Sequence, residues 1–360
     1  MQQPVHGGNL AWAAALAGCP PEGILDFSAS ISPLGPPNSA IAAIYSQISN
    51  LRHYPQPDYS ELRVALGGFH KLPSEWILPG NGSAELLTLA GRELANLSAT
   101  SLVTPAFGDY YRTLTAYNAN ILEFPLSLTT GQWEIGINSA SYPSSSPGSY
   151  GLLLNNPHNP TGRLFYRGAI LPYLEQYSLV VVDEAFMDFL PPDEEQSLIG
   201  MVQEYPNLVV LRSLTKFYSL PGLRLGYAIA HPDRLAQWQS WRDPWPVNTL
   251  AAAAAIAAIQ DQEFQERTWK WLPQARNQLF QGLTSIPGLQ PLEGSANFLL
   301  VASQSSSSQL QQQLLQHHQI LIRDCLSFKE LGDRFFRVAV RSESDNQRLL
   351  TALYSLTVDH

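Results

Sequence analysis

The distribution of apolar and polar positions divides the chain into three stretches. Residues 1–50 are punctuated by Gly and Pro ("HGGN", "SPLGPP") around one short helical pattern, which reads as an arm laid over another part of the molecule. From about 60 to 235 the pattern alternates. "SAELLTLAGREL" has helical period, whereas "ATSLVTP", "GLLLNNP", "YSLVVVDEAF" and "NLVVLRSLTK" are short apolar runs that end in polar turns. Strands that are apolar throughout and alternate with helices predict a mostly parallel sheet covered on both faces, with ligands collecting at the strands' carboxyl ends. The Trp- and Pro-rich passage "WQSWRDPWPVN" (238–248) breaks this rhythm. After it the pattern predicts a long helical stretch over 249–283 and an α+β tail with strands near "NFLLVA", "QILIR" and "RFFRVAV". The serine and glutamine tract at 303–319 reads as a solvated loop running into an amphipathic helix. The expected organisation is an α/β chain with an arm (1–45), a large domain (46–240) and a smaller α+β C-terminal domain (241–360).

Composition narrows the function. The 360 residues are 45% hydrophobic and 14% charged, with a net charge of −9, and no basic run offers a nucleic-acid surface. Cys19 and Cys325 are too far apart to suggest a disulfide framework, which makes a reducing, cytoplasmic setting the expectation. "LAWAAALAGC" (10–19) resembles a short signal core, but no Lys or Arg precedes Arg52, and the charged flank is missing. No apolar run reaches the ~20 residues of a membrane helix, and "LAAAAAIAAI" (250–259) reads as a tightly packed helix. A small molecule and a second copy of the chain are the expected partners; nucleic acid and membrane are not.

Candidate chemistry falls at the predicted carboxyl edge of the sheet. Asp183 closes "LVVVD"; "NNPHNPTG" offers Asn156 and Asn159 on a Pro-flanked turn; "SLTK" puts Ser213, Thr215 and Lys216 just past "NLVVL", with Arg224 eight residues on. A carboxylate ending a buried strand needs a cation, and a protonated pyridine nitrogen is one such partner. A lysine in a semi-apolar pocket has a lowered pKa and reacts with aldehydes. "GNGSAE" (80–85) opens a helix whose N-terminus can hold a phosphate. Aldehyde, ring nitrogen and phosphate each have a candidate, and the group that carries all three is pyridoxal 5′-phosphate. Taken singly, each motif is more often a cap, a turn or a solvated lysine; the joint order is what points to the cofactor.

The run "GNGS", "NPHNPTG", "VVDEAF", "SLTKFYSLPGLRLG" resembles the fold-type I pyridoxal-phosphate enzymes, and most closely their histidinol-phosphate aminotransferase branch. The resemblance implies Lys216 as the Schiff-base lysine, Asp183 as partner of the pyridine nitrogen and Asn159 as donor to the ring's phenolic oxygen. It further implies Ser83, Ala84, Ser213, Thr215 and Arg224 around the cofactor phosphate, and Phe107 on the ring face. Tyr54 would reach the neighbouring subunit's cofactor in a homodimer. Phe186 stands where most relatives have a tyrosine contacting the cofactor. Three further stretches, "HGGN", "DFSASISPLGPP" (26–37) and "LIRDCLSF" with "FFRVAVR", resemble the threonine-phosphate decarboxylases of cobalamin biosynthesis. That resemblance implies a phosphorylated amino-acid substrate held by His6, Gly7, Ser32, Asn159, Arg323 and Arg337, the last two meeting its anionic groups in an order the sequence leaves open. The rival readings are an aminotransferase of histidinol phosphate or an aromatic amino acid, and a cofactor-sensing regulator on the same fold. His317 and His318 lack ligand-spaced neighbours and read as exposed helix residues, not metal ligands.

Overall fold

The protein is described from a computed structural model, over residues 6–128 and 149–358. Helix α1 (Leu10–Ala17), strand β1 (Leu25–Asp26) and helices α2 (Asn38–Gln47) and α3 (Ser60–His70) come first. They are followed by β2 (Ile77–Asn81), α4 (Gly82–Leu94), β3 (Ala99–Thr104), α5 (Gly108–Ala116) and β4 (Ile121–Pro125). Next are β5 (Tyr150–Asn155), α6 (Arg167–Leu174), β6 (Leu179–Asp183), β7 (Leu208–Ser213), β8 (Leu225–Ala230) and α7 (Pro232–Ser240). The remainder comprises α8 (Thr249–Gln260), α9 (Gln262–Thr284), β9 (Leu289–Pro291), β10 (Phe298–Ser303), α10 (Ser307–His318), β11 (Ile320–Leu321), β12 (Arg323–Asp324), β13 (Phe335–Ala339) and α11 (Glu343–Val358). Among the described residues no helix is long and apolar enough to cross a membrane.

Among the described residues, seven strands form the central sheet in the order β2-β8-β7-β6-β5-β3-β4. All are parallel except β8, which runs antiparallel to both neighbours. The apolar runs of β6 and β7 are buried along their whole length because helices cover both faces, as the uninterrupted hydrophobic pattern requires. The period of two then sorts their side chains. Val180, Val182, Leu208 and Val210 join the core on one face; Leu179, Val181, Val209 and Leu211 join the core on the other, with Leu86 and Leu87 of α4 and Tyr110 of α5. A four-stranded antiparallel sheet, β12-β13-β10-β9, and a parallel β1-β11 pair complete the topology.

Three details depart from the sequence expectation. The helical stretch 249–283 is two helices, because Asp261 (φ −82°, ψ 79°) interrupts it and caps α9 by accepting from the Phe264 N–H. "QILIR" is not one strand but β11 and β12, paired in different sheets. The serine tract is pinned rather than solvated: Asp333 accepts from the hydroxyls of Ser306 and Ser307 and from the Ser308 N–H, so α10 starts at Ser307.

Candidate active site

The alternation that buries β6 and β7 also selects which polar residues meet at their ends. Asp183 follows the parity of Val181, so it lies on the α4/α5 face, and its strand partners in register are Asn155 and Leu211. Glu184 and Arg212 take the opposite face. Asp183 is buried, accepting from the Ala185 N–H at 3.0 Å through Oδ1 and from the Tyr110 hydroxyl at 2.9 Å through Oδ2. Burial pushes its carboxyl up from the ordinary range, and these two donors oppose that shift. Asn156, one residue past Asn155, turns away and closes a reciprocal pair with the Phe165 backbone, so it is a structural residue.

Lys216 follows β7 by three residues and is partly buried at the wall of the same cavity. Its ammonium is lowered to about 8, first by burial and then by Arg337 and Arg224, with Asp183 and Asp26 acting in the other direction. Nearby, two glycines permit close approach. A Cβ on Gly226 would lie 2.4 Å from the Ser83 nitrogen, and one on Gly82 (φ +74°) would lie 2.5 Å from an Arg224 Nη. The N-terminus of the 13-residue helix α4, the ends of β7 and β8 and the Arg224 guanidinium are thereby brought to one corner of the cavity. Main-chain N–H groups, the Ser213 and Thr215 hydroxyls and a guanidinium at that corner form a donor set suited to a phosphate.

Two further arginines line the cavity. Arg323 and Arg337 are directly paired across β12 and β13, and both are buried. Arg337 donates to Asn159 Oδ1 and, at 3.1 Å, to the Ser28 carbonyl, and its guanidinium lies 4.9 Å from the centre of the Phe298 ring. Burial lowers Arg337 to about 10. Arg323 donates to Ser327 Oγ at 2.6 Å. Phe186 packs edge-on against Phe298 with ring centroids 5.0 Å apart.

The "HGGN" motif acquires a physical account here. His6 lies 5.5 Å from the Phe107 ring, Gly8 takes φ +83°, and the Asn9 side chain caps α1 by accepting from the Trp12 N–H. A Cβ on Gly7 would sit 2.4 Å from the Ser28 carbonyl oxygen, while the Gly8 N–H donates to Ser28 Oγ at 2.8 Å. Gly7→Ala is therefore expected to push His6 off the cavity mouth and lower kcat/KM by about 10–10²-fold, as small misplacements of positioning groups do. An unchanged kcat/KM in steady-state kinetics would refute that.

Of the residues singled out from sequence, His6, Gly7, Ser83, Ala84, Phe107, Asn159, Asp183 and Phe186 line one cavity of 340 Å³, together with Ser213, Thr215, Lys216, Arg224, Arg323 and Arg337. Two do not. Ser32 lies behind the lysine: its N–H donates to the Lys216 carbonyl at 3.0 Å, its carbonyl accepts from Ser219 Oγ, and its own hydroxyl accepts from the Leu34 N–H. Ser32 is thus not among the residues lining the cavity, and its main-chain groups brace the lysine segment. Tyr54 is 80% exposed, packs 4.6 Å from Trp245 and borders a separate cavity of 640 Å³. Sequence reasoning missed Tyr110, Asn155, Ser28 and Ser327, all of which line the first cavity. Asn155, Ser28 and Ser327 lie inside the motifs "NNPHNPTG", "DFSASISPLGPP" and "LIRDCLSF", whereas Tyr110 stands three residues past Phe107 in "TPAFGDY".

The aminotransferase class I and II family matches the chain over residues 22–353. The chain belongs to this family of pyridoxal-phosphate enzymes. It is 38% identical over 353 residues to the threonine-phosphate decarboxylase of Salmonella typhimurium, covering 97% of this chain and 95% of that one. It is 30% identical to the adenosylcobalamin biosynthesis bifunctional protein CobDQ of Leptospira interrogans, covering 99% of this chain and 41% of the larger protein. The histidinol-phosphate aminotransferase structure from Clostridium acetobutylicum matches with a TM-score of 0.85 and 27% identity, over 94% of this chain and 100% of that one. Within the family, the cavity's donor set fits the cofactor: an amine lowered to about 8, a carboxylate with two donors and lone pairs to spare, and a phosphate corner bounded by Gly82 and Gly226.

Proposed function

We propose that the protein is a pyridoxal-phosphate-dependent decarboxylase that converts L-threonine O-3-phosphate to (R)-1-amino-2-propanol O-2-phosphate and carbon dioxide, supplying the nucleotide loop of cobalamin. The observation that carries this reading is the buried pair Arg323 and Arg337 in the same cavity as Lys216, two cations for a substrate with two anionic groups. Similarity to the Salmonella decarboxylase over nearly the whole of both chains, and to the bifunctional cobalamin-biosynthesis protein, supports it.

Bound in the cavity, pyridoxal phosphate supplies an electron sink for the bond broken at the substrate's Cα. Lys216 is the residue that would hold its aldehyde carbon. Asp183 would keep the ring nitrogen protonated, Phe107 would cover a ring face, and Asn159 and Phe186 would border the phenolic side. Ser83, Ala84, Ser213, Thr215 and Arg224 would hold the cofactor phosphate. Arg323 and Arg337, with His6 and Gly7 from the arm, would grip the substrate so that its carboxylate stands across the ring plane. Binding energy from the remote phosphate is spent on that orientation. Lys216, once carbon dioxide has left, is the acid that returns a proton to Cα.

A homodimer is part of the reading. Tyr45, Ile48, Leu51 and Tyr54 form an exposed apolar surface beside the second cavity, and Tyr54 is the residue that would cross to the partner's cofactor phosphate. We assign residues 1–45 to the arm, 46–240 to the cofactor-binding domain and 241–360 to the C-terminal domain, in a cytoplasmic enzyme.

Carbon dioxide release from O-phosphothreonine by the cofactor-loaded protein tests the proposal; transfer of the amino group to 2-oxoglutarate without carbon dioxide would establish the aminotransferase instead. Arg323→Ala and Arg337→Ala, compared on threonine and its phosphate, assign the anions. The variant that has lost its phosphate contact is expected to lose about 10–10²-fold in kcat/KM on the phosphorylated substrate and little on threonine, the worth of a charged hydrogen bond. Equal losses on both substrates would exclude a phosphate-specific arginine.

A further inference from the structure

Asp183 and Phe107 lie on different elements, 76 residues apart, yet one side chain touches both. Tyr110 is 1% exposed, meets Phe107 edge-to-face with ring centroids 5.7 Å apart, and directs its only side-chain polar atom at Asp183 Oδ2, 2.9 Å away. Its own N–H donates to the Phe107 carbonyl at 2.9 Å, in the first turn of α5. A phenylalanine would occupy nearly the same volume, so packing alone does not demand a hydroxyl here. A hydroxyl buried without a partner is costly, whereas this one has an ionisable acceptor.

We infer that Tyr110 is a positioning residue for Asp183, holding the carboxylate ionised and aimed at the ring nitrogen of the cofactor while fixing the Phe107 ring from behind. The inference rests on the proposed cofactor reading. The Tyr110 phenol is raised well above its ordinary range, first by burial and then by Asp183, so it remains a donor throughout the working pH range. A hydrogen bond to a charged acceptor is stronger than one to a neutral acceptor, so this donor favours the ionised form of Asp183. The other groups acting on that carboxyl are the Ala185 N–H and Lys216, which also favour its charge, and Asp109 at the start of α5, which opposes it. Tyr110 is therefore the side-chain donor that offsets the burial of Asp183 from the α5 side. One helical turn supplies both the ring-face aromatic and the orienting donor, so a shift of α5 would move the two together.

The test measures cofactor binding to the apoprotein and needs no turnover. Dissociation constants for pyridoxal phosphate are obtained by absorbance titration for the wild type and Tyr110→Phe from about pH 6 to about pH 9, above the ordinary range of a carboxyl, from which burial raises Asp183, and below that of a phenol. Comparing the two proteins cancels the titration of Lys216. Removing the donor raises the pKa of Asp183, and only its ionised form holds a protonated ring nitrogen. The variant is accordingly expected to bind about tenfold more weakly at the acid end, with the deficit closing as pH rises. A cofactor analogue with carbon in place of the ring nitrogen is expected to bind both proteins alike. A deficit equal at every pH and equal for the analogue would overturn the inference and leave Tyr110 a packing residue. If Tyr110→Phe does not fold, Tyr110→His, which keeps a donor, is compared with Tyr110→Leu, which does not; the same pH-dependent difference between them is required. Failure of the wild type to bind pyridoxal phosphate at all would sink the proposed function itself.

Discussion

Lys216→Ala is expected to reduce carbon dioxide release from threonine phosphate by at least about 10²–10⁴-fold, the contribution of a positioned proton donor alone. The side chain is asked to do two things, to react with an aldehyde as a neutral amine and to return a proton to Cα, and alanine can do neither. Lys216→Arg separates charge from chemistry: the guanidinium keeps a cation beside Asp183 but cannot be deprotonated, so it is expected to be as inactive as the alanine variant. The pH dependence has a definite sign. Burial, together with Arg337 and Arg224, lowers the ammonium to about 8, so the reactive neutral form grows as pH rises through that value and is constant above it. The rate at which the apoprotein captures cofactor aldehyde, followed by stopped-flow absorbance, should rise with pH and level off above about 8. A rate independent of pH across that range, or a Lys216→Ala variant retaining a tenth of the activity, would remove Lys216 from the role given to it.

What made Lys216 and Asp183 legible was local. Uninterrupted apolar runs announce strands buried on both faces, and the polar residues that close them fall at the carboxyl edge, where the sheet places a ligand. Tyr110 was not legible in the same way, because its value depends on how α5 docks against β6. In the sequence it is one more aromatic of an amphipathic helix, and the carboxylate it serves is 73 positions away. Ser32 shows the converse. Its position suggested a substrate contact, but its N–H and carbonyl are engaged by Lys216 and Ser219, main-chain commitments that a residue-type pattern does not encode. The division of 249–283 was closer to readable, since "IQDQE" sets an Asp before the first turn of α9, an N-cap signature masked by the continuing apolar period. The β11/β12 split had no such sign: two-residue strands are too short for alternation to mark.

The residues behind the site carry the largest expected effect on stability. Arg212 and Glu184 are the chain neighbours of Ser213 and Asp183, turned to the opposite face, and both are buried. Arg212 Nε lies 3.0 Å from Glu184 Oε2, Nη1 donates to Asp188, and Nη2 donates to Ser197 Oγ at 3.0 Å. Glu184 also accepts from Ser197 Oγ at 2.7 Å and the Leu198 N–H at 2.8 Å. Burial alone would depress the guanidinium, but Asp188 and Glu184 reverse the shift, and Arg212 stays charged. Arg212→Leu leaves two buried carboxylates without their cation and is expected to cost about 3–5 kcal/mol of stability, measured by chemical denaturation. Burial already pushes Glu184 and Asp188 up, and loss of the cation pushes them further. A carboxyl raised in the native state binds more protons there than in the unfolded chain, so its stabilising contribution is present at low pH and falls as pH rises through its folded pKa. The deficit of Arg212→Leu relative to wild type should therefore be smaller at about pH 5 than at about pH 8. Replacing Glu184 and Asp188 by apolar residues in the same variant should recover much of the loss, because the cost lies in the uncompensated charges rather than in a missing attraction. A pH-independent deficit, or one unchanged in the triple variant, would show that Arg212 acts through packing instead. If the charges are what matters, the network also holds the ends of β6 and β7 in register, and with them Asp183 and Ser213. The single variant should then lose cofactor affinity at temperatures well below its unfolding transition, while the triple variant regains stability more fully than it regains binding.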